Sequence, residues 1–122
     1  MSRPRLISVV DDDESVREAL WGLLRSVGFA VCTFASAEEF VNSAQLENTD
    51  CLILDVYMPG MSGLELQRKL MASDCEVPTI FITAHEDEGL RAQALEGGAG
   101  AVLIKPFSEE ALLNAVHAAV SL

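Results

Sequence analysis

The sequence predicts an α/β fold: an open sheet of five parallel strands with helices covering both faces. Short apolar runs rich in β-branched residues alternate with longer segments whose apolar residues recur every three to four positions. A chain of 122 residues, half of them apolar, suits one domain with a real core and is too short for two ordinary ones, so residues 1–122 are read as a single domain. Parallel neighbours also need crossovers, and strand twist makes these right-handed.

The strand runs are Leu6 to Val10, Ala30 to Phe34, Leu52 to Leu54, Thr79 to Thr83 and Ala101 to Ile104. Between the first two, Val16, Ala19, Leu20, Leu23, Leu24 and Val27 form a helical stripe, and Gly28 supplies its stop. Ser36 followed by Glu39 has capping-box spacing and opens a second helix through Phe40 and Val41. Leu64, Leu66, Leu70 and Met71 suit a third helix, and Leu90, Ala94 and Leu95 a fourth. Leu112, Leu113, Val116, Ala119 and Val120 suit a fifth, expected to run to Leu122. Five such units in tandem give a flavodoxin-like (βα)5 three-layer sandwich of strand order 2-1-3-4-5, whose ligands bind outside the carboxyl ends of the strands.

Charge and composition exclude several functions. Eight basic against nineteen acidic residues give a net charge of −11, which repels phosphate backbones, so this chain is expected to bind no nucleic acid. No apolar run approaches the roughly 20 residues of a membrane span and no segment resembles a signal peptide, so a cytoplasmic protein without membrane contact is expected. Cys32, Cys51 and Cys75 lack metal-ligand spacing and read as structural thiols.

The strand ends carry the chemistry. "VVDDDES" places Asp11, Asp12 and Asp13 where the chain leaves the first strand; one can cap the next helix, but capping needs one carboxylate, not three. "CLILDVYMPGMSG" ends the third strand on Asp55, and the topology brings the first and third strands side by side, so Asp11, Asp12 and Asp55 should converge. Gathered carboxylates repel one another, and a bound cation relieves them. Oxygen-only ligands suit Mg2+ (or Mn2+), which often adds phosphate oxygens to its shell, and a carboxylate beside it can act as nucleophile toward a phosphoryl group. Thr83 offers a hydroxyl at the end of the fourth strand, although it also suits an ordinary strand end. Lys105 follows "VLI" and precedes Pro106; its ammonium suits phosphate oxygen, and the X-Pro bond permits a cis peptide that aims it inward.

Together, "VVDD", "LDVYMPGMSG", "ITA" and "KPF" make the whole chain resemble a response-regulator receiver (CheY-like) domain of two-component phosphorelay systems. The resemblance implies that Asp55 is the phosphoacceptor, Asp12 a direct Mg2+ ligand, Asp11 a ligand through water, and the Tyr57 backbone carbonyl the remaining protein ligand. It implies that Thr83 is the switch hydroxyl, that Lys105 pairs with the phosphoryl group, and that Pro106 follows a cis bond. Tyr57 and His85 match positions that border the phosphoryl group and tune attack by water; exposed side chains are the plainer alternative. Receivers commonly carry an aromatic switch residue three positions before the lysine, and here that position is Val102. The output surface should then rely on backbone shifts after Thr83 and in the fourth helix. Trp21 reads as a surface or packing residue, and His117 as a solvated residue rather than a phosphodonor.

"SAEEF" with "MPGMSG" is similar to FixJ-like regulators, which implies a sensor histidine kinase as donor. It also implies homodimerisation through the face of the fourth helix, fifth strand and fifth helix, and a C-terminal DNA-binding domain regulating transcription. The expectation is a receiver excised from such a regulator or a stand-alone receiver acting through protein contacts, and in either case a signalling domain rather than an enzyme with an external substrate. Two other classes remain open. An aspartyl-phosphate phosphohydrolase would want an acid where Tyr57 stands, and a flavodoxin-like cofactor binder would want N–H donors where three aspartates stand.

Overall fold

In the computed structural model, which describes residues 3–85 and 87–121, strands and helices alternate strictly along the chain. The strands are β1 (Leu6–Val10), β2 (Ala30–Phe34), β3 (Cys51–Asp55), β4 (Thr79–Thr83) and β5 (Ala101–Ile104). The helices are α1 (Glu14–Ser26), α2 (Ala37–Val41), α3 (Gly63–Ala72), α4 (Glu88–Glu96) and α5 (Glu109–Val120). All strands pair in parallel, in the order β2-β1-β3-β4-β5. The last helix, expected to run to Leu122, ends at Val120 with Ser121 as its C-cap, and Leu122 itself lies outside the described residues.

The sheet divides the core into two. Val10, Leu52, Leu54, Phe81 and Val102 face α2, α3 and α4, where they meet Phe40, Leu66, Leu70 and Leu90. Ile7, Val9, Ile53, Ile80 and Ile82 face α1 and α5 and meet Leu20, Leu24, Leu112 and Val116. The alternation explains why the central strands are mostly apolar: each is buried on both faces. Each fully buried Leu, Ile or Phe contributes about 1.5–3 kcal/mol relative to exposure.

Local chemistry sets the helix ends. Asp13, the third of the aspartates, caps α1 by accepting from the Ser15 N–H at 2.9 Å. Gly28, at φ 98°, turns the chain out of α1 in the left-handed region where glycine has no steric cost. Ser36 caps α2 as expected, but the fully reciprocal capping box is at α3, where Ser62 and Glu65 bond each other's backbone N–H.

Three sequence expectations need adjustment. β3 is longer by one residue at each end, because Cys51 pairs in register with Ile7 and Asp55 with Ile82. Met71 and Leu95 stand exposed at the ends of their helical stripes. β5, whose "VLI" run before Lys105 reads in the sequence as a buried strand, is the half-buried edge of the sheet. Among the described residues no helix is long and apolar enough to cross a membrane.

Candidate functional site

The register of the sheet assembles the site. Val10 pairs with Leu54, so the next residues, Asp11 just past β1 and Asp55 at the end of β3, stand side by side. Carboxylate oxygens of Asp11, Asp12 and Asp55 lie within 4.8 Å of one another. Asp11 is fully buried, Asp55 is 5% exposed, and Asp12 faces solvent. The turn behind Asp55 is tight: a Cβ on Gly63 would lie 2.4 Å from the Asp55 carbonyl oxygen, so only glycine lets α3 start this close to the strand end.

Lys105 reaches across from β5. Its Nζ donates to Asp11 Oδ2 at 3.0 Å and lies 3.7 Å from Asp55 Oδ2. The backbone holds it there, since Lys105 N–H donates to the Thr83 carbonyl at 2.7 Å and the Lys105–Pro106 bond is cis. Further donors hold Asp11: Oδ1 accepts from the Asp13 N–H at 2.9 Å, and its carbonyl accepts from Arg17 Nη1 at 2.7 Å. Arg17 was not singled out by sequence; only its position one helical turn past the aspartates hinted at it.

The electrostatics follow. Burial, and after it the charge of Asp11, pushes the Asp55 carboxyl up to about 7 against the opposing pull of Lys105. Burial alone would lower the Lys105 pKa, but its hydrogen bond to Asp11 and the charges of Asp11 and Asp55 outweigh that, and the pKa is raised. The donor set is therefore hard oxygen, crowded and short of positive charge, and it fits a divalent cation such as Mg2+ or Mn2+.

Thr83 is fully buried at the end of β4, and its Oγ1 accepts from the His85 N–H at 3.1 Å. The Tyr57 and His85 rings meet edge to face, with centroids 4.9 Å apart. They thus form one aromatic rim from the loops after β3 and β4, with Tyr57 half exposed. Val102 points into the core under α4, away from the carboxylates. Beside it a cavity of about 260 Å³ opens between α4 and β5, lined by Thr83, His85, Leu90, Arg91, Val102 and Ile104. Trp21 is exposed with the Arg25 guanidinium 4.7 Å over its ring, and His117 is exposed with its ring against Phe29.

Known proteins resemble this chain in sequence and in fold. Response regulator protein TodT of Pseudomonas putida is 45% identical over 120 residues, covering 98% of this chain and 53% of TodT. Transcriptional regulatory protein FixJ of Azorhizobium caulinodans is 40% identical over 114 residues, covering 93% of this chain and 54% of FixJ. The chain spans about half the length of these curated relatives. Among solved structures, response regulator StyR superposes with a TM-score of 0.90 at 48% identity, over 98% of this chain and 60% of that one. The family model for the response regulator receiver domain matches residues 7–117, from β1 into α5 and so across every strand end just described. The chain belongs to the response regulator receiver domains of two-component systems.

Proposed function

We propose that this chain accepts a phosphoryl group on Asp55 from a sensor histidine kinase or a small phosphodonor. The observation that supports it most is the pairing of a buried, cation-seeking carboxylate at the end of β3 with two further aspartates and the Lys105 ammonium. Asp55 Oδ attacks phosphorus, the bond from phosphorus to the donor breaks with its electron pair leaving on the donor, and an acyl phosphate forms. Asp12, Asp55 and the Tyr57 carbonyl would hold the metal directly. Asp11, whose carboxylate oxygens already accept from Lys105 and the Asp13 N–H, would hold it through water. When bound, Mg2+ offsets the charge that builds on the phosphoryl oxygens. Lys105 then pairs with a phosphoryl oxygen, and the Thr83 hydroxyl, released from the His85 N–H, turns toward another.

In this reading phosphorylation shifts a two-state equilibrium in α4, β5 and α5 toward a homodimer, with transcription as the output. Support comes from relatives named as regulators that are about twice as long, which suggests a DNA-binding domain as the output partner. The site of action is the cytoplasm. The Asp55 phosphoryl group is the signal and no external substrate is turned over: Tyr57 stands where a phosphohydrolase would want its acid. Intact mass after incubation with acetyl phosphate tests the reading. One added phosphoryl group is expected with Mg2+, none without it and none in Asp55→Asn; an adduct that persists in Asp55→Asn would refute Asp55 as acceptor.

The aromatic rim should lengthen the phosphoryl lifetime by limiting the approach of water. An edge-to-face pair is worth about 0.5–1.5 kcal/mol, so Tyr57→Ala is expected to dephosphorylate about two- to tenfold faster. Decay of the phosphorylated mass with time measures it, and equal rates would reject shielding.

A further inference from the structure

The segment between β3 and α3 carries Tyr57, yet little holds it. Its ends are fixed, because Val56 N–H donates to the Ile82 carbonyl at 3.1 Å and Gly63 N–H to the Val56 carbonyl at 2.9 Å. Between them the Met58 side chain is buried and Pro59 has no N–H to donate. Among the described residues, the backbone of Tyr57 to Met61 makes one hydrogen bond: Met61 N–H donates to Glu38 Oε2 at 3.0 Å. Glu38 lies in the first turn of α2, 23 residues away in sequence, on a helix that takes no other part in the site.

Gly60 makes room for this contact. It sits at φ 78°, and a Cβ there would lie 2.6 Å from Glu38 Oε2. The carboxylate therefore rests against the turn at the position where the chain has no side chain. The Met61 hydrogen bond, with a smaller contribution from Glu38's own N–H, holds the Glu38 carboxyl below the ordinary carboxylate range.

We propose that Glu38 is a positioning residue for the metal site: by holding Met61 N–H, it fixes the turn that carries Tyr57, whose carbonyl is assigned to the same cation as Asp12 and Asp55. The inference rests on the assignment of that carbonyl as a ligand. An exposed hydrogen bond to a carboxylate acts only partly on a site four residues away, so Glu38→Ala is expected to weaken Mg2+ binding about three- to tenfold. Glu38→Gln keeps an oxygen that accepts the same N–H and should stay within about twofold of wild type. The phosphorylation rate at saturating Mg2+ should move less than the Mg2+ affinity, because the reacting groups Asp55 and Lys105 are untouched.

Isothermal titration of each variant with MgCl2 reads the affinity, and thermal melting in EDTA reports any loss of fold. Gly60→Ala, which crowds Glu38 from the other side, should weaken Mg2+ as well. Wild-type affinity in Glu38→Ala, or Glu38→Gln as weak as Glu38→Ala, would overturn the proposal while leaving the acceptor reading intact. A wild-type protein that binds no Mg2+ would overturn the acceptor reading first, and without any variant at Glu38.

Discussion

Asp55→Asn is expected to stabilise the metal-free protein by about 2–4 kcal/mol at pH 8, through removal of a charge that the fold holds at a cost. Burial and Asp11 raise the Asp55 carboxyl to about 7, so the native state binds its proton more tightly than the unfolded chain does. The sign follows from linkage. Below about pH 3 the carboxyl is protonated in both states and the substitution changes little. As pH rises toward 7 the unfolded chain ionises freely while the folded one resists, and wild type loses stability that the asparagine variant keeps. Above that range the difference is constant. Urea denaturation in EDTA at a series of pH values measures it, and a gain that is flat from pH 5 to pH 8 would contradict the account. The residue proposed for the chemistry thus opposes folding until positive charge reaches it.

Lys105→Ala is expected to act in the opposite direction. It leaves fully buried Asp11 and nearly buried Asp55 without the ammonium that bonds one at 3.0 Å and faces the other at 3.7 Å. Removing one member of a buried pair costs about 3–5 kcal/mol, and the Lys105 side chain is 21% exposed, so a loss of about 2–4 kcal/mol at pH 8 is expected. Because the Lys105 pKa is raised, its contribution is complete below the ordinary lysine range and fades only as pH rises through the raised value. The loss should shrink toward pH 6, where the Asp55 carboxyl, already raised to about 7, can take up a proton. Saturating Mg2+ should recover part of it, since a cation again faces the aspartates. The same denaturation series checks this, and a loss unaffected by both pH and Mg2+ would mean that Lys105 acts through packing alone.

Much of this was legible in the sequence because the information is local. Alternating strand runs and helical stripes gave the order of elements, and a strand-end rule gave the neighbourhood of Asp11, Asp12, Asp55, Thr83 and Lys105. What was hidden depends on partners distant in the chain. Cys51 and Asp55 belong to β3 because of what lies beside them in β1 and β4. Gln67 sits in a leucine stripe yet is buried, because its amide donates to the Ala94 carbonyl at 3.0 Å across two helices. In the sequence Glu38 stood only within "SAEEF", and the turn it holds only within "MPGMSG", as marks of a resemblance. Only the fold shows that the two meet.

The division of the core by the sheet bears on how the molecule opens. The two clusters of buried side chains lie on opposite faces, one under α2, α3 and α4 and the other under α1 and α5, with the sheet between them. Fluctuations of α4 can therefore proceed as partial unfolding confined to one layer, while α1, capped by Asp13, keeps its packing on the other. In amide-exchange terms, α4 and α1 are expected to exchange as separate cooperative units, with β1, β3 and β4, buried along their whole length, as the slowest-exchanging strip between them. A helix on one side can then act as a moving part without the carboxylate cluster losing its foundation on the other.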